Sequence, residues 1–276
     1  MTIAITGSTG QLGRLAIAAL QARGVTPIAL ARSPEKAADL GVPVRAFDYA
    51  NADPAALAGV SVLVLISSND FNDRVGQHRN VIAAAKAAGV GRVIYTSILK
   101  ADTSPMILAA DHKATEAALQ ASGLSYTFLR NGWYIENHTG SLAGAIAAGA
   151  LIGSAGEGRF AAAARKDYAE AIAVTAATAG HDNAVYELAG DSAYSYADLA
   201  AEVSRQTGKA IPYNDLPAAT YAGILQSFGL PEGFAHVLAD SDVQAGQGAL
   251  YDDSHTLSRL IGRETTPMAD VVRAAL

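Results

Sequence analysis

The chain has 276 residues, half of them hydrophobic and 17% charged, with a formal net charge of −6. That balance supports a sizeable core, argues against wholesale disorder, and has the wrong sign for a nucleic-acid or anionic-membrane surface. The absence of cysteine excludes disulfide frameworks, thiolate nucleophiles and cysteine-based metal sites.

The chain starts in an apolar run rather than a charged leader with a cleavage pattern, and no apolar run reaches transmembrane length. Neither a targeting segment nor membrane insertion is therefore expected, and the expected compartment is the cytoplasm. Residues 2–14 read Thr-Ile-Ala-Ile-Thr-Gly-Ser-Thr-Gly-Gln-Leu-Gly-Arg, a short strand, a tight turn and a helix start. Gly7, Gly10 and Gly13 stand where the backbone must bend or approach something closely. The unpaired N–H groups and dipole of such a helix start suit a pyrophosphate. The helix is predicted over residues 11–23, with Leu12, Leu15, Ala16, Ala19 and Leu20 on its inner side and Gly24 ending it.

A second strand, 27–31, leads into Arg32-Ser33-Pro34 and a short helix with proline in its first turn. Folds that prefer NAD place an acid at the position of Arg32, against the ribose 2′-hydroxyl. A guanidinium there matches the 2′-phosphate of NADP instead, so NADPH is expected to bind more tightly than NADH. Strands follow at 42–47 and 60–66, the latter a continuous apolar run, with a short helix at 54–58 between them. A helix over 74–88, a strand at 92–97, a helix over 107–122 and a strand at 125–129 complete an alternation that predicts an α/β, doubly wound parallel sheet of Rossmann type.

Polar residues follow three of these strands, at the rim where open α/β sheets bind ligands. Ser67-Ser68-Asn69 either lines a nicotinamide ribose or phosphate, or forms an ordinary polar turn. Tyr95-Thr96-Ser97 ends the next strand. On the following helix, His112 and Glu116 are four residues apart on one face, so the carboxylate orients the imidazole or simply pairs with it. His112 is a candidate proton donor. The six histidines form no close ligand cluster, and no metal site is expected. The stretch Leu-Arg-Asn-Gly-Trp-Tyr-Ile-Glu-Asn, 129–137, holds the only tryptophan; Trp133 and Tyr134 suit a flat ring or anchor the second half of the chain.

Beyond residue 130 the rhythm loosens. Helices are predicted over 134–148, from an Asp167 cap to 177, over 196–207 between Ser195 and Gly208, and over 217–228, 231–238, 254–261 and 267–274. Short strands are predicted at 151–153 and 185–188. The chain is accordingly divided into a Rossmann domain, 1–130, and a smaller mixed α/β cap region, 131–276, some elements of which return to the main sheet. Arg165 in that region is placed to reach an anionic ligand.

Together, the glycine turn, Leu65-Ile66-Ser67-Ser68, residues 77–86 (Gln-His-Arg-Asn-Val-Ile-Ala-Ala-Ala-Lys) and Tyr95-Thr96-Ser97 resemble the NmrA-like atypical short-chain dehydrogenases/reductases. Residues 129–137, Tyr186–Asp191 and Leu238–Asp242 are similar to the bacterial NAD(P)H:quinone oxidoreductase type 2 group within that family. The resemblance implies NADPH as cofactor and two-electron reduction of a small quinone. It carries cofactor contacts onto Gly7, Thr9, Gly10, Gln11, Leu12, Arg32, Ser67, Ser68, Asn69, Asn131, Gly132, Trp133, Tyr134, Ile135, Glu136 and Arg165, with Trp133 and Tyr134 beside the substrate. The wider superfamily uses Ser with Tyr-x-x-x-Lys. Ser97 matches that serine, but His112 stands at the lysine position and Leu108 at the tyrosine position. A site without that phenol suits a hydroquinone anion, whose charge is delocalised, better than an alkoxide, and His112, Ser97 or water is left to supply the proton. A reductase of another delocalised electrophile, such as a triarylmethane dye, and an NADP(H)-sensing regulator like NmrA stay open, as does a homodimer.

Overall fold

Apolar runs without polar alternation become inner strands, as burial on both faces requires. The computed structural model describes residues 1–276. The first part of the chain forms β1 (Ile3–Ile5), α1 (Gln11–Ala22), β2 (Ile28–Ala31), a 3₁₀ turn (Pro34–Leu40), β3 (Val44–Ala46), a second 3₁₀ turn (Pro54–Leu57), β4 (Val62–Leu65), α2 (Arg74–Ala87), β5 (Arg92–Ile98), α3 (Ala109–Ser122) and β6 (Ser125–Asn131). There follow α4 (Ile135–Thr139), α5 (Leu142–Ala148), β7 (Leu151–Gly153), α6 (Arg165–Ala177), β8 (Ala184–Leu188), α7 (Tyr196–Thr207), β9 (Tyr213–Asp215), α8 (Ala218–Ser227), α9 (Glu232–Gly246), α10 (Thr256–Ile261) and α11 (Met268–Ala275).

The main sheet is parallel, seven-stranded, and ordered β3-β2-β1-β4-β5-β6-β8. Its order reverses between β1 and β4, the switch point at which such sheets bind ligands. Every residue of β1, β2, β4 and β5 is buried. The register sets Ile5 beside Val64, Leu65 beside Tyr95 and Ser97 beside Arg130, so the polar ends of β4, β5 and β6 share one edge. The fold class is that read from the sequence.

The chain divides into two compact units. One comprises Met1–Ala101, Asp111–Asn131 and Arg165–Glu187, so the chain leaves it after β6 and re-enters it with α6 and β8. The other comprises Asp102–Ala110, Gly132–Ala164 and Leu188–Leu276, and holds a second sheet in which β7 pairs parallel with β9.

Several boundaries differ from the sequence reading for local reasons. The strand expected to end at Leu129 continues through Arg130 and Asn131, because Leu99 N–H donates to Asn131 O at 2.8 Å and extends the ladder. The helix expected over 134–148 breaks at Gly140 and Ser141 into α4 and α5. The inner face of α1 includes Ile17, buried with Ala16 and Leu20, while Leu15 is exposed, and this helix packs on the alanine-rich α6. Helix α6 starts at Arg165, so Asp167 lies within its first turn, where the helix dipole favours a carboxylate, rather than at its cap. Ser195 and Asp198 form a reciprocal capping box at α7, and Gly208 ends that helix in the left-handed conformation.

In the second unit, Asp242 on α9 is a buried carboxylate facing donors but no cation. Its Oδ2 accepts from Ser154 N at 2.9 Å and its Oδ1 from Tyr196 Oη at 3.0 Å. Burial lifts its pKa to about 6 against the pull of these hydrogen bonds. The folded chain therefore holds this proton more tightly than the unfolded one. Asp242 should add stability as pH falls through about 6, with the gain complete below its unfolded value near 3.8. Asp242→Asn should raise stability above pH 7 by about 1–3 kcal/mol and flatten this part of the profile, as checked by urea unfolding of both proteins between pH 4 and 8.

Candidate active site

The glycine turn is built by close backbone approach. Gly7 has φ +59°, in the left-handed region, and its carbonyl accepts from Gly10 N at 3.0 Å. A Cβ on Gly13 would lie 2.3 Å from Gly7 O and 2.8 Å from Ser8 Cα, so only glycine lets α1 start this close to the turn. Thr6 and Ser8 hold the turn to the sheet: Thr6 Oγ1 donates to Val64 O at 3.1 Å and Ser8 Oγ to Leu30 O at 2.9 Å. The Tyr49 hydroxyl reaches Thr6 Oγ1 at 2.5 Å and Ile66 O at 2.7 Å. Helix α1 has no side-chain cap, and its first internal bond is Arg14 N to Gly10 O, so the N–H groups of Gln11, Leu12 and Gly13 precede the helical ladder.

Packing of α6 on α1 brings Arg165, its first residue, to this end, where the guanidinium donates to Gln11 Oε1. A guanidinium beside the opening N–H groups of α1 presents positive charge of the kind that receives an anion. The residues present thus fit a pyrophosphate. Arg32 is exposed directly after β2, and Ser33, at the start of the 3₁₀ turn, makes no side-chain cap bond. Arg14 fixes that turn by donating to Lys36 O and Asp39 Oδ2, both at 2.7 Å, and to Thr9 O at 3.2 Å. Arg14 thus ties the turn that follows Arg32 to the glycine turn.

The loop after β4 is more tightly woven than a polar turn requires. Ser67 N–H donates to Thr96 Oγ1 at 2.9 Å. Ser68 N–H donates to His78 Nε2 at 2.9 Å, which makes Nε2 the lone-pair nitrogen and leaves Nδ1–H to donate to Thr115 Oγ1, also at 2.9 Å. Ser68 Oγ donates to Gln77 Oε1 at 2.6 Å, and Arg74 Nε donates to Ser68 O at 2.8 Å. Burial and the neighbouring Arg74 charge push the His78 pKa down to about 3, so this link stays intact across ordinary pH. Ser68 is thus committed to holding the loop. Asn69 is exposed, and Ser67 Oγ is buried without an aligned hydrogen-bond partner.

At the ends of β5 and β6 the expected His112–Glu116 pairing does not form. Glu116 turns to the strands, accepting from Ser97 Oγ at 2.6 Å and from Arg130 Nε and Nη2 at 2.9 and 2.7 Å. Arg130 Nη1 also donates to Glu187 at 2.8 Å, and Glu187 accepts from Lys100 N–H at 2.8 Å. Burial opposes the Arg130 charge, but these carboxylates outweigh it and raise its pKa. His112 Nδ1 instead faces Tyr95 Oη at 2.8 Å. Burial first, then the charge of Arg74 and the neighbouring His78, hold the His112 imidazole neutral. Tyr95 and Arg130 belong to this edge but carry no signal in the spacing; a fully buried strand tyrosine reads as core.

Asn131 closes β6 and is buried. Gly132, Trp133, Tyr134, Ile135 and Glu136 lie in the second unit, where Gly132 N–H donates to Leu188 O at 2.7 Å and Tyr134 bridges Ala163. Trp133 and Tyr134 are half-buried there. That unit also holds a cavity of about 610 Å³ beside Asp191, His255, Ser258 and Met268, lined by none of the expected site residues. Asp191 ties its own backbone to later turns, accepting from Ser258 Oγ at 2.6 Å and Thr265 N–H at 2.8 Å.

Residues 7–173, from the glycine turn into α6, match the profile of the NAD(P)H-binding family. The chain belongs to that NAD(P)H-binding family. Among relatives, quinone oxidoreductase 2 of Escherichia coli is 51% identical, over 98% of this chain and 97% of its own length. The solved NADPH-dependent quinone oxidoreductase QOR2 from the same organism, complexed with NADPH, superposes with a TM-score of 0.95 over 99% of both chains. The Citrobacter sp. triphenylmethane reductase complexed with NADP(H) gives 0.92 at 35% identity over 100% of both. The matched stretch opens on the glycine turn, whose tightest backbone contact is at Gly13. Gly13→Ala should destabilise the chain by about 2–3 kcal/mol, because only backbone could move aside, and lower the calorimetric melting temperature by roughly 5–10 °C.

Proposed function

We propose that this chain is an NADPH-dependent quinone reductase that passes hydride directly from the nicotinamide to the quinone, without flavin. The observation that carries the reading is the uncapped start of α1 with Arg165 against Gln11, together with the exposed Arg32 directly after β2. These offer sites for a pyrophosphate and for a 2′-phosphate on one dinucleotide. The relatives support the reading, since QOR2 is described as NADPH-dependent and was solved with NADPH.

Bound NADPH supplies the hydride. The chain's own contribution is placement: Gly7, Thr9, Gly10, Gln11 and Leu12 receive the pyrophosphate, Arg165 neutralises it, and Arg32 selects the phosphorylated ribose. Ser67, Asn69 and Asn131, at the ends of β4 and β6, are assigned to the nicotinamide end. Trp133, Tyr134 and the adjoining Gly132, Ile135 and Glu136 are assigned to the rest of the cofactor and to the quinone ring. Acceleration by holding two flat partners in reacting order needs no strong acid on the scale an alkoxide would demand.

Two linked measurements test this. Anaerobic NADPH oxidation, followed by nicotinamide absorbance, should proceed with simple benzoquinones and naphthoquinones using protein freed of flavin. Arg32→Glu should weaken NADPH about 10- to 100-fold and leave NADH little changed or improved, as seen by calorimetry. Tight NADPH binding with no oxidation by any quinone would make the chain a cofactor sensor. Equal affinity of the unaltered chain for NADPH and NADH would remove the role given to Arg32.

A further inference from the structure

Reduction of a quinone by hydride leaves a hydroquinone monoanion, and one further proton completes the product. The residue that supplies such a proton in the wider superfamily, a helix tyrosine, is replaced here by Leu108. The first unit nevertheless holds a phenol at the same edge. Tyr95 comes from β5, one residue before Thr96, whose hydroxyl anchors the Ser67 backbone. Its side chain is fully buried between His78 and His112, with ring centroids 5.4 and 5.8 Å away.

Three facts set this phenol apart from an ordinary core tyrosine. Its hydroxyl meets His112 Nδ1 at 2.8 Å, on the helix position where the superfamily has its lysine. It also lies beside Ser67 and Thr115. Ser67 Oγ is a buried hydroxyl with no aligned partner, on the loop assigned to the nicotinamide end. Such an atom is costly to leave unsatisfied, and because the residue itself is half-buried, rotation of its side chain offers the hydroxyl a partner at the rim.

We propose that Ser67, Tyr95 and His112 form a proton relay, with Tyr95 and His112 as its store and the Ser67 hydroxyl as its outlet to the reduced quinone. This inference rests on the reading of the chain as a quinone reductase. In the step, the Ser67 O–H bond breaks as the hydroquinone O–H bond forms. The Ser67 hydroxyl, unaligned at rest, turns about its Cα–Cβ bond to take the Tyr95 proton, Tyr95 takes the proton from His112 Nδ1, and Nε2 gains one from water. The imidazole changes tautomer and stays neutral throughout. NADPH is oxidised to NADP⁺, the quinone is reduced, and one proton enters for each one delivered.

The surrounding groups favour this neutral shuttle over an ionised one. Arg74 on α2 and His78 oppose a charge on His112, and Glu116 on α3 opposes a tyrosinate at Tyr95, while Arg74 favours one. Asp111 on α3 meets Arg74 at 3.5 Å and balances it. Burial raises the Tyr95 pKa and lowers that of His112, so neither group ionises near neutral pH.

A pair of acceptors separates proton delivery from simple support of the fold. A quinone needs the extra proton, whereas a triarylmethane dye cation takes hydride at carbon and becomes the neutral leuco form without one. Tyr95→Phe should therefore slow quinone turnover roughly a hundredfold, at the low end for a proton-transfer group. NADPH affinity and dye reduction should stay within about threefold of the unaltered chain, below the tenfold that 1.4 kcal/mol represents. Ser67→Ala should also slow quinone turnover, and because Ser67 lies at the nicotinamide end only its isotope effect reports on proton delivery. The solvent deuterium isotope effect on quinone turnover should fall in both variants, a readout that serves equally if the dye is a poor substrate. Equal losses with quinone and dye, or an unchanged isotope effect, would make Tyr95 structural and overturn the relay. An unaltered chain that oxidises NADPH with no quinone would instead overturn the functional reading on which the relay rests.

Discussion

Gly13 stands so near the carbonyl of Gly7 that an added Cβ would lie 2.3 Å from its oxygen, and much of the site follows from this backbone contact. Without a side chain at Gly13, α1 begins against the turn that ends β1, so its free N–H groups open at the switch point of the sheet. Small residues on α6 then let that helix lie along α1, which carries Arg165 to the same end. Arg14, one residue past Gly13, fastens the turn after β2 and with it the position of Arg32. A tight backbone contact thus sets the start of α1, Arg165 and the turn after β2.

The other side of the edge is organised differently. There the strand ends carry polar side chains that satisfy one another in two buried sets. Glu116, Arg130, Ser97 and Glu187 form an ion-paired clamp across α3, β5, β6 and β8. His78, Thr115, Tyr95 and His112 form a neutral set behind the Ser67 loop. Removing one partner from the charged clamp would strand a buried charge, at a cost of about 3–5 kcal/mol. The neutral set can move protons without creating charge. This division accounts for the placement of Ser97 and His112 in separate networks although both lie at the same edge.

Much of this was legible in the sequence because local rules and tertiary packing agree. The first six strands, the glycine turn, α2 and the Ser195 cap all appear where apolar runs, glycines and capping residues put them. What was hidden depends on partners distant in sequence. The i, i+4 spacing of His112 and Glu116 is real, but Arg130 and Tyr95 on neighbouring strands outbid one residue for the other. Tyr95 looked like core because its chemistry lies in a single hydroxyl at the edge of an apolar strand. β9 carries three largely polar residues and exists through its pairing with β7. Helix α9 runs on to Gly246 because Ala239, Ser241, Asp242 and Ala245 are buried, a small-residue face that hydrophobicity alone undervalues.

The central claim is that the start of α1, joined by Arg165, receives the pyrophosphate of NADPH. A crystal structure of the NADPH complex tests it most directly. Pyrophosphate oxygens should lie within hydrogen-bond reach of the Gln11 and Leu12 N–H groups and of the Arg165 guanidinium, with the 2′-phosphate at Arg32. A dinucleotide whose pyrophosphate lies elsewhere, leaving those N–H groups to water, would contradict the account.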